Sequence, residues 1–338
     1  MESQIQEKIR QEARRLLEEQ EVDLIIGYEE GSLPLQTTPC FISEPGEVDR
    51  LVWNACCKQN LAGYAHQAIV QHRRSQARVK PEERTEKRVG IVARGCTSRS
   101  LVIHLQERQY DRDNLYIIGV PCTGYLDKNK LAAAVSGEEI TAGRLEGDKV
   151  IIETASGERQ LERQQVLADN CLTCRFNNPV ISDFMAGDPA PENSGDEFAL
   201  VAQFAAKPEA ERWEYFAAEM NKCMRCYACR NVCPSCYCPS CFVEQSQPEW
   251  VGAGINPSDN QVFQVMRMFH MAGRCVDCGS CVEVCAEGVD LRTFLKKLDL
   301  DDWQLYQHRA GADLDQPSPL ASFRENDPEE FILEPEQN

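Results

Sequence analysis

The sequence contains neither a long apolar run nor an export signal. None of its apolar stretches approaches the ~20 residues that a membrane span requires. The N-terminus, MESQIQEKIRQEARRLLEEQ, is densely charged and lacks the apolar centre of a secretory signal peptide. We therefore expect a cytoplasmic protein without a membrane span.

Basic charge is also scarce. The chain has 36 Lys and Arg residues against 54 Asp and Glu residues, which gives a net charge of −18. Proteins that bind nucleic acids or anionic membranes use a surplus of Lys and Arg for the phosphates. The charge balance therefore argues against nucleic acid as a partner. With 42% apolar and 27% charged residues in 338, the chain has the composition of a globular protein of two or three domains.

The usual catalytic patterns are missing as well. The five histidines are scattered, and none stands at a ligand spacing from another ligand type. The chain contains no Ser-His-Asp arrangement, no paired carboxylates, no phosphate-binding P-loop and no G-x-G-x-x-G nucleotide loop. The sequence therefore identifies no catalytic residue, and the catalytic residues stay unknown at this point.

Cysteine, in contrast, is abundant, with 18 residues in the chain. A reducing cytoplasm disfavours disulfides, so metal binding is the leading use for most of them. Seven of them stand in the nineteen residues 223–241, CMRCYACRNVCPSCYCPSC.

Two runs of four cysteines share one spacing, C-x2-C-x2-C-x3-C. The first run is followed by Pro234, and the second has Ala286 in that place. This pattern is typical of dicluster ferredoxins, in which each run gives three ligands to one 4Fe-4S cluster and its fourth cysteine to the other. The predicted ligands are Cys223, Cys226, Cys229 and Cys285 for cluster 1, and Cys275, Cys278, Cys281 and Cys233 for cluster 2.

Structural zinc is the alternative, because paired C-x2-C motifs also bind zinc. Zinc explains four cysteines per site but does not explain two matching runs of four. Cys236, Cys238 and Cys241 are surplus to two clusters. They make an incomplete site by themselves, and a further metal, substitution for a ligand and simple packing are all open as their role.

The periodicity of the chain predicts an α/β, parallel-sheet domain followed by a bacterial dicluster ferredoxin-like α+β module. KRVGIVARGC, SRSLVIHLQERQ and NLYIIGVPC have the patterns of a strand, a helix and a strand, and this βαβ order favours a parallel sheet. Residues 138–163 alternate in the manner of antiparallel strands, and residues 51–72 are predicted to be helical. The predicted domains are an N-terminal α/β extension (1–85), the α/β domain with the βαβ element (86–184), a linker (185–207), the dicluster ferredoxin module (208–308) and an acidic tail (309–338).

The acidic tail has little periodicity, so we expect it to be either disordered or ordered only on a partner. Its apolar residues are Phe323, Phe331, Ile332 and Leu333.

A third group of cysteines lies in the predicted α/β domain. Cys96 and Cys122 each follow one strand of the βαβ element, and CLTC contributes Cys171 and Cys174. Because the ends of neighbouring parallel strands meet at one edge of a sheet, these four thiols can converge there. Burial as packing residues is the alternative. The geometry predicts a third site with these four thiolate ligands.

The same segments carry a family resemblance. RGCTSRSLVIHLQE, IIGVPCTGYLD and CLTCRFNNPVISD resemble the beta-subunit family of deazaflavin-dependent hydrogenases and formate dehydrogenases, and CMRCYACRNVCPSCYC resembles the dicluster region of the formate dehydrogenase type. The resemblance covers roughly residues 50–300. It implies an α/β domain that holds FAD and one 4Fe-4S cluster, which would be a third cluster, in the site of these four thiolates. In some members an aspartate takes the place of one cysteine ligand, for which Asp183 is the nearest candidate and Cys96 the less firm ligand.

The FAD that the resemblance implies requires a phosphate-binding site. The nearest candidate is the turn from strand to helix at Gly95, Thr97, Ser98 and Arg99, because backbone amides at a helix N-terminus favour an anion. An ordinary helix N-cap is the alternative.

The resemblance implies an iron–sulfur flavoprotein subunit of an anaerobic, cytoplasmic oxidoreductase complex. The flavin would exchange a hydride with NAD(P) or a deazaflavin, and the clusters would pass single electrons to or from a formate dehydrogenase, hydrogenase or heterodisulfide-reductase-type partner. One alternative is a flavin-free adaptor that links a dehydrogenase or hydrogenase to a heterodisulfide-reductase-type complex. Another is a zinc-ribbon assembly scaffold.

Overall fold

A computed structural model describes residues 2–322, and two halves of different character follow one another along the chain. We call residues 2–198 the sheet half and residues 199–322 the helical half. Residues 323–338, with the apolar side chains of the predicted tail, lie outside the described part. The strands are β1 (Leu24–Glu30), β2 (Thr37–Ile42), β3 (Val89–Ala93), β4 (Leu115–Gly119), β5 (Ala142–Glu146), β6 (Lys149–Thr154), β7 (Gly157–Glu162) and β8 (Phe184–Met185).

The larger sheet has the strand order β2-β1-β3-β4-β8. Strand β2 is antiparallel to β1, and the other neighbours are parallel. All five residues of β3 are buried, as expected for a central strand covered on both faces. The predicted βαβ element and parallel sheet are therefore confirmed. The helices of this half are α1 (Glu2–Glu18), α2 (Ala62–Ser75), α3 (Gly95–Gln106), α4 (Lys128–Ala134), α5 (Arg163–Val166) and α6 (Asp169–Leu172).

The helix predicted over residues 51–72 is shorter than expected and begins at Ala62. The preceding carbonyl groups of Cys57, Lys58 and Gln59 accept hydrogen bonds from the buried guanidinium of Arg94. Carbonyls that are engaged in this way cannot accept the i+4 amides of a helix. The prediction was wrong for this segment because a tertiary contact overrides its helix-like spacing.

The smaller sheet is an antiparallel meander in the order β5-β6-β7. Gly147 lies in the first turn at φ +61°, and Gly157 follows the second turn as the first residue of β7 at φ +116°; both angles favour glycine. The antiparallel strands predicted for residues 138–163 are thus confirmed. Val150 and Ile152 on the central strand are buried against Leu131 of α4.

The helical half is built around a separate apolar core. Met220, Phe263, Leu291 and Leu295 are buried at its centre. Apart from one isolated bridge, residues 199–322 contain no β-structure, so the strands that an α+β module implies are not seen there. Cysteine and turn residues interrupt the apolar alternation that a strand needs. The helices are α7 (Ala199–Ala205), α8 (Glu209–Lys222), α9 (Ala228–Asn231), α10 (Pro257–His270), α11 (Ser280–Glu283) and α12 (Leu291–Tyr306).

Residues 307–318 form a C-terminal strap that joins the two halves. Arg99 on α3 donates to the carbonyl of Ala310 at 2.8 Å, and Gln106 donates to the carbonyls of Asp313 and Gln316, each at 2.8 Å. Gly311 has φ +64°, and a Cβ there would collide with the carbonyl oxygen of Arg99. The strap therefore packs against α3 at a position where only glycine fits.

Membrane insertion finds no support in the helices. Within residues 2–322, none of them combines the length and the apolar character that crossing a bilayer requires.

Candidate metal centres

The first group of thiols, which we call bay 1, surrounds a cavity of about 20 Å³ in the helical half. Three of its cysteines come from the first run, on the loop after α8 and on α9. The fourth comes from the end of the second run, just after α11. The bay contains Cys223, Cys226, Cys229 and Cys285, the four residues predicted for cluster 1.

The second group, bay 2, surrounds a cavity of about 30 Å³. Three of its cysteines belong to the second run and one to the first, so the two runs exchange their fourth cysteines. The Sγ atom of Cys233 also lies 3.6 Å from Sδ of Met271, the residue that follows α10. The bay contains Cys275, Cys278, Cys281 and Cys233, the four residues predicted for cluster 2.

The two runs have the same backbone shape. Arg225 and Asp277, each just before the second cysteine of its run, have φ values of +51° and +53°. Tyr227 and Gly279, each just after it, have φ values of +61° and +75° and precede the single turns α9 and α11. Left-handed residues turn successive amides toward one side of the loop, a concave arrangement that suits an anion. In bay 1 the Arg225 amide already donates to Sγ of Cys223 at 3.4 Å.

The third group, bay 3, lies at the carboxyl edge of the larger sheet. Cys96 follows β3 at the start of α3, Cys122 follows β4, and Cys171 and Cys174 lie on and just after α6. Burial and the neighbouring Cys96 raise the pKa of Cys174 to about 12. The structure therefore brings the four cysteines predicted for the third cluster into one neighbourhood. Asn193 fixes the C-x2-C segment by donating to the carbonyls of Cys171 and Cys174 at 3.2 and 2.9 Å.

Bay 3 adjoins bay 2, a relation that the sequence did not indicate. Cys96 of bay 3 and Cys278 of bay 2 pack against the same buried residues, Ile103 and Val276 among them. Asn170, next to Cys171, donates to the carbonyl of Asp277 at 3.1 Å. The bays thus follow one another in the order 3, 2, 1.

Gly279 makes the close approach of bays 2 and 3 feasible. A Cβ at this position would collide with the hydroxyl of Tyr125, which lies 3.2 Å from the carbonyl oxygen of Cys278 and 3.1 Å from Oδ1 of Asn170. Only glycine lets the ligand loop of bay 2 reach α6 and the loop after β4.

Each bay contains a buried arginine. The exposed fractions are 2% for Arg94 in bay 3, 6% for Arg225 in bay 1 and 3% for Arg267 in bay 2. Among residues 2–322, Nε of Arg94, Nη1 of Arg225, and both Nε and Nη1 of Arg267 find no hydrogen-bond partner. A buried cationic donor without an acceptor is costly, so these N–H groups fit an anionic group held within the bays.

Burial disfavours the deprotonated, thiolate form of the bay cysteines when no metal is bound. Burial raises the pKa of Cys281 to about 11, although the nearby Arg267 guanidinium opposes that rise. Burial raises the pKa of Cys229 to about 11 as well. A metal bound in these bays would release these protons, because a metal requires the deprotonated thiolate.

The turn predicted to bind a flavin phosphate is occupied by the protein itself. Gly95, Thr97, Ser98 and Arg99 are all buried, and a Cβ at Gly95 would collide with the carbonyl oxygen of Phe176. The Arg99 guanidinium donates to the carbonyls of the strap and of bay 2, and Ser98 accepts from the amide of Val180. The turn is thus buried against the protein, although Oγ1 of Thr97 has no hydrogen-bond partner among residues 2–322. The contact with a flavin phosphate stays a prediction.

Asp183 is likewise engaged away from bay 3. Its carboxylate accepts from the amide of Ile117 in the middle of β4 and from the guanidinium of Arg112, both at 2.7 Å. Cys96, in contrast, lies with the other three thiols.

The surplus cysteines do not form one group. The Cys236 thiol lies beside Cys233, which lowers the pKa of Cys236. Cys241 lies near Arg230, and Cys238 is exposed. Within the described residues, no three His, Cys, Asp or Glu side chains converge closely enough to hold a single metal ion.

A further cavity, of about 330 Å³, lies between the two halves beside bay 2. The polar residues at its wall include Asp127, Glu283, Arg292 and Lys296. These residues come from segments far apart in the chain, and no sequence pattern connects them.

Comparison with known proteins gives the following matches. Residues 86–207 match the family described as the C terminus of the coenzyme F420 hydrogenase/dehydrogenase beta subunit. The F420-dependent formate dehydrogenase subunit beta of Methanocaldococcus jannaschii is 22% identical over 275 residues, which cover 64% of this chain and 71% of the relative. The F420-dependent formate dehydrogenase 1 subunit beta of Methanococcus maripaludis is 24% identical over 246 residues, covering 55% and 63% respectively.

A structure of the F420-reducing NiFe hydrogenase complex from Methanosarcina barkeri, derivatised with xenon, matches with a TM-score of 0.34 and 15% identity over 52% of this chain and 64% of that one. The family match and the two formate dehydrogenase relatives confirm the resemblance that the cysteine-containing segments indicated.

Proposed function

From the premise that residues 86–207 belong to the beta-subunit family of F420 hydrogenases and dehydrogenases, we propose that this chain is the electron-carrying iron–sulfur subunit of an oxidoreductase complex. The observation that carries the proposal is the exchange of fourth cysteines between the two runs. Cys285 lines bay 1 and Cys233 lines bay 2, the arrangement that a dicluster ferredoxin uses.

Zinc fits the bays less well than 4Fe-4S clusters do. Zn–S bonds of ~2.3 Å in a tetrahedron place the sulfur atoms about 3.8 Å apart. No three potential ligands within residues 2–322 approach closely enough for a single ion. Thiols spread around a cavity, with unpartnered arginine donors beside it, suit a larger anionic group. The zinc-ribbon scaffold is therefore the weaker alternative.

When bound, each cluster accepts and releases one electron at a time. The chain supplies the rest of the site. Phe263 and Leu291 line bay 1, and Met271 and Leu295 line bay 2, so apolar side chains shield part of each bay from water, while Cys226 of bay 1 is exposed. The contact of Cys96 and Cys278 with one buried cluster of side chains joins bay 3 to the other two. The three bays then form a single route between one edge of the sheet half and the helical half.

The flavin part of the proposal rests on the family resemblance. The turn at Gly95 and Arg99 adds no support for a dinucleotide phosphate, since both residues are buried and the Arg99 guanidinium is bonded to the strap and to bay 2. A flavoprotein that exchanges hydride with NAD(P) or a deazaflavin and a flavin-free adaptor therefore both stand as forms of the proposed function. Partners are proposed by the same resemblance: a formate dehydrogenase, a hydrogenase or a heterodisulfide-reductase-type complex, in an anaerobic cytoplasm.

Metal, sulfide and flavin analysis of protein purified without oxygen tests the proposal. Three clusters correspond to about twelve iron and about twelve acid-labile sulfide per chain, at four of each per cluster. Zinc in place of iron, with no labile sulfide, would overturn the proposal. FAD released near stoichiometry identifies the flavoprotein form, and its absence from iron-replete protein identifies the adaptor.

A further inference from the structure

Arg267 lies between the two bays of the helical half. It is on α10, 3% exposed, and lines the cavity of bay 2. Its Nη2 atom donates to the carbonyl oxygen of Cys229, a bay 1 cysteine, at 3.1 Å. The same guanidinium thus contacts the backbone of bay 1 and faces the thiols of bay 2.

Arg267 lacks a carboxylate partner among the described residues, whereas the other two arginines of bay 2 each have one. Three arginines line bay 2. Arg292 makes two hydrogen bonds of 2.8 Å with Asp277, and Arg274 makes two, of 2.5 and 2.7 Å, with Glu107. Arg267 forms no ion pair with a carboxylate within the part of the chain that the structure describes, and its Nε and Nη1 have no acceptor there.

A buried cation without a counter-ion needs an anion at the same place. An unpaired charge in the interior is strongly unfavourable, whereas opposite charges at short range attract strongly there. The anion that the thiols of bay 2 would create is a four-thiolate cluster. Its negative charge increases by one when an electron is added, so a fixed positive charge nearby favours the reduced form.

Bay 1 has a weaker positive field. Its own arginine, Arg225, has the carboxylate of Asp259 3.7 Å away, and Glu287 stands at the wall of the cavity. These carboxylates offset the charge of Arg225. The two loops have the same backbone shape but differ in how their arginines are paired. The electrostatic potential at bay 2 is therefore more positive than that at bay 1.

We propose that Arg267 is the counter-ion of the cluster in bay 2 and holds its reduction potential above that of the cluster in bay 1. This inference rests on the proposed function, because it requires clusters in both bays. Arg267 acts as a positioning and tuning residue: it gives up and accepts no electron itself. An electron shared by the two clusters then resides mainly in bay 2, the bay next to bay 3.

The test is a redox titration of the anaerobic holoprotein, followed by electron paramagnetic resonance, in wild type and in Arg267→Gln. The variant should lower the potential of one cluster signal by about 59 mV, which is a tenfold fall in its ratio of reduced to oxidised form at fixed potential. Arg225→Gln should move a different signal. Arg84→Gln, on the exposed connector before β3, removes the same charge far from the bays in sequence and should move none.

Two further variants cover the case in which Arg267→Gln does not assemble its cluster. Arg267→Lys keeps the charge and should stay within about threefold of the wild-type ratio, or about 28 mV at 59 mV per tenfold. Asp277→Asn removes a carboxylate at bay 2, suits a left-handed backbone position, and should raise the potential of the same signal.

The outcomes separate this inference from the proposed function. Unchanged potentials in an iron-replete Arg267→Gln protein overturn the role of Arg267 and leave the iron–sulfur function in place. A tenfold shift in Arg267→Lys, or no change in Asp277→Asn, overturns a role through charge. Protein that holds no iron in any form overturns the proposed function itself.

Discussion

Bays 1 and 2 in the helical half and bay 3 in the sheet half collect four thiols each, but by different means. In the helical half one short loop delivers three cysteines, and left-handed residues at equal positions, Arg225 and Asp277, bend both loops alike. In the sheet half the cysteines arrive separately, two of them at the ends of β3 and β4. In bays 1 and 2, a short loop with the same backbone shape in both runs brings the cysteines together. In bay 3, the positions of the cysteines depend on the register of the sheet. A substitution that distorts the sheet half should therefore affect bay 3 more than bays 1 and 2.

The largest expected effect comes from Gly95→Ala. The new Cβ meets the carbonyl oxygen of Phe176, a backbone atom that cannot move without displacing the segment after Cys174. We expect a loss of more than about 3 kcal/mol in the free energy of unfolding and loss of the bay 3 cluster, about four of the twelve iron atoms. Iron analysis with thermal unfolding measures both. Gly46→Ala is the matched control, because nothing lies within 4 Å of its Cβ position.

An equal loss of iron from all three bays would contradict this prediction, since the helical half would then depend on the sheet half for its clusters.

The next effect concerns the exchange between the two runs. Cys233→Ala should abolish the same spectroscopic signal as Cys275→Ala, although the two residues belong to different runs, because both line bay 2. Each variant should lose about four iron atoms. Cys40→Ala, at a buried cysteine outside the bays, should retain all signals. If Cys233→Ala instead matched Cys223→Ala in its spectrum, each run would hold its own cluster and the exchange would be wrong.

A smaller effect is expected where the two kinds of site meet. Gly279→Ala introduces a collision with the Tyr125 hydroxyl at a residue with φ +75°, so it should cost about 2–4 kcal/mol of unfolding free energy. Gly288 has φ +61° and open space around its Cβ position. Gly288→Ala should therefore cost only the backbone strain, about 1–2 kcal/mol. Denaturant unfolding of both variants separates strain from collision, and equal costs would show that the Tyr125 contact contributes nothing.

The smallest expected effect is a pH dependence of the unfolding free energy at His104, where α3 contacts Pro234 of the helical half. Burial lowers the pKa of His104 to about 3, and the ring bonds the Pro234 carbonyl at 2.8 Å and the Tyr110 hydroxyl at 2.9 Å. Because the folded pKa lies below the unfolded value of about 6.5, the stability contributed by the neutral ring is complete above pH 6.5 and is lost as the pH falls toward 3. Between pH 7.5 and 5.5 the wild type should lose about 1.4 kcal/mol of unfolding free energy through this group.

Gln at position 104 can offer one donor and one acceptor in place of the ring, and it does not titrate. Between pH 7.5 and 5.5, the His104→Gln variant should therefore lose about 1.4 kcal/mol less unfolding free energy than the wild type. His270→Gln, at an exposed position, is the control and should follow the wild type. A His104→Gln protein with the wild-type pH profile would rule out this role. Denaturant unfolding at the two pH values, without oxygen, gives the comparison.

The difference between local and convergent sites also explains what the sequence could reveal. The spacing of the two runs predicted which cysteines would meet in bays 1 and 2, because the loop geometry is encoded within each run. The strand ends predicted bay 3, because parallel strands share an edge. The contact of bay 3 with bay 2 depends on Gly279 and Asn170, which no spacing links. The helix predicted over residues 51–72 was shortened by Arg94, which lies far along the chain. Arg267 lies on α10, and the direction in which its side chain points depends on packing that no spacing in the sequence indicates.

The C-terminal strap has a consequence for biosynthesis. Ala310 accepts a hydrogen bond from Arg99 and packs in the same buried cluster as Cys96 and Cys278, so this cover over bays 2 and 3 forms only after synthesis has passed residue 311. Before that point, Cys96 and Cys278 lack their contact with Ala310. If the proposed clusters are inserted during synthesis, the thiols of Cys96 and Cys278 would be more accessible before the strap docks on α3 than after it.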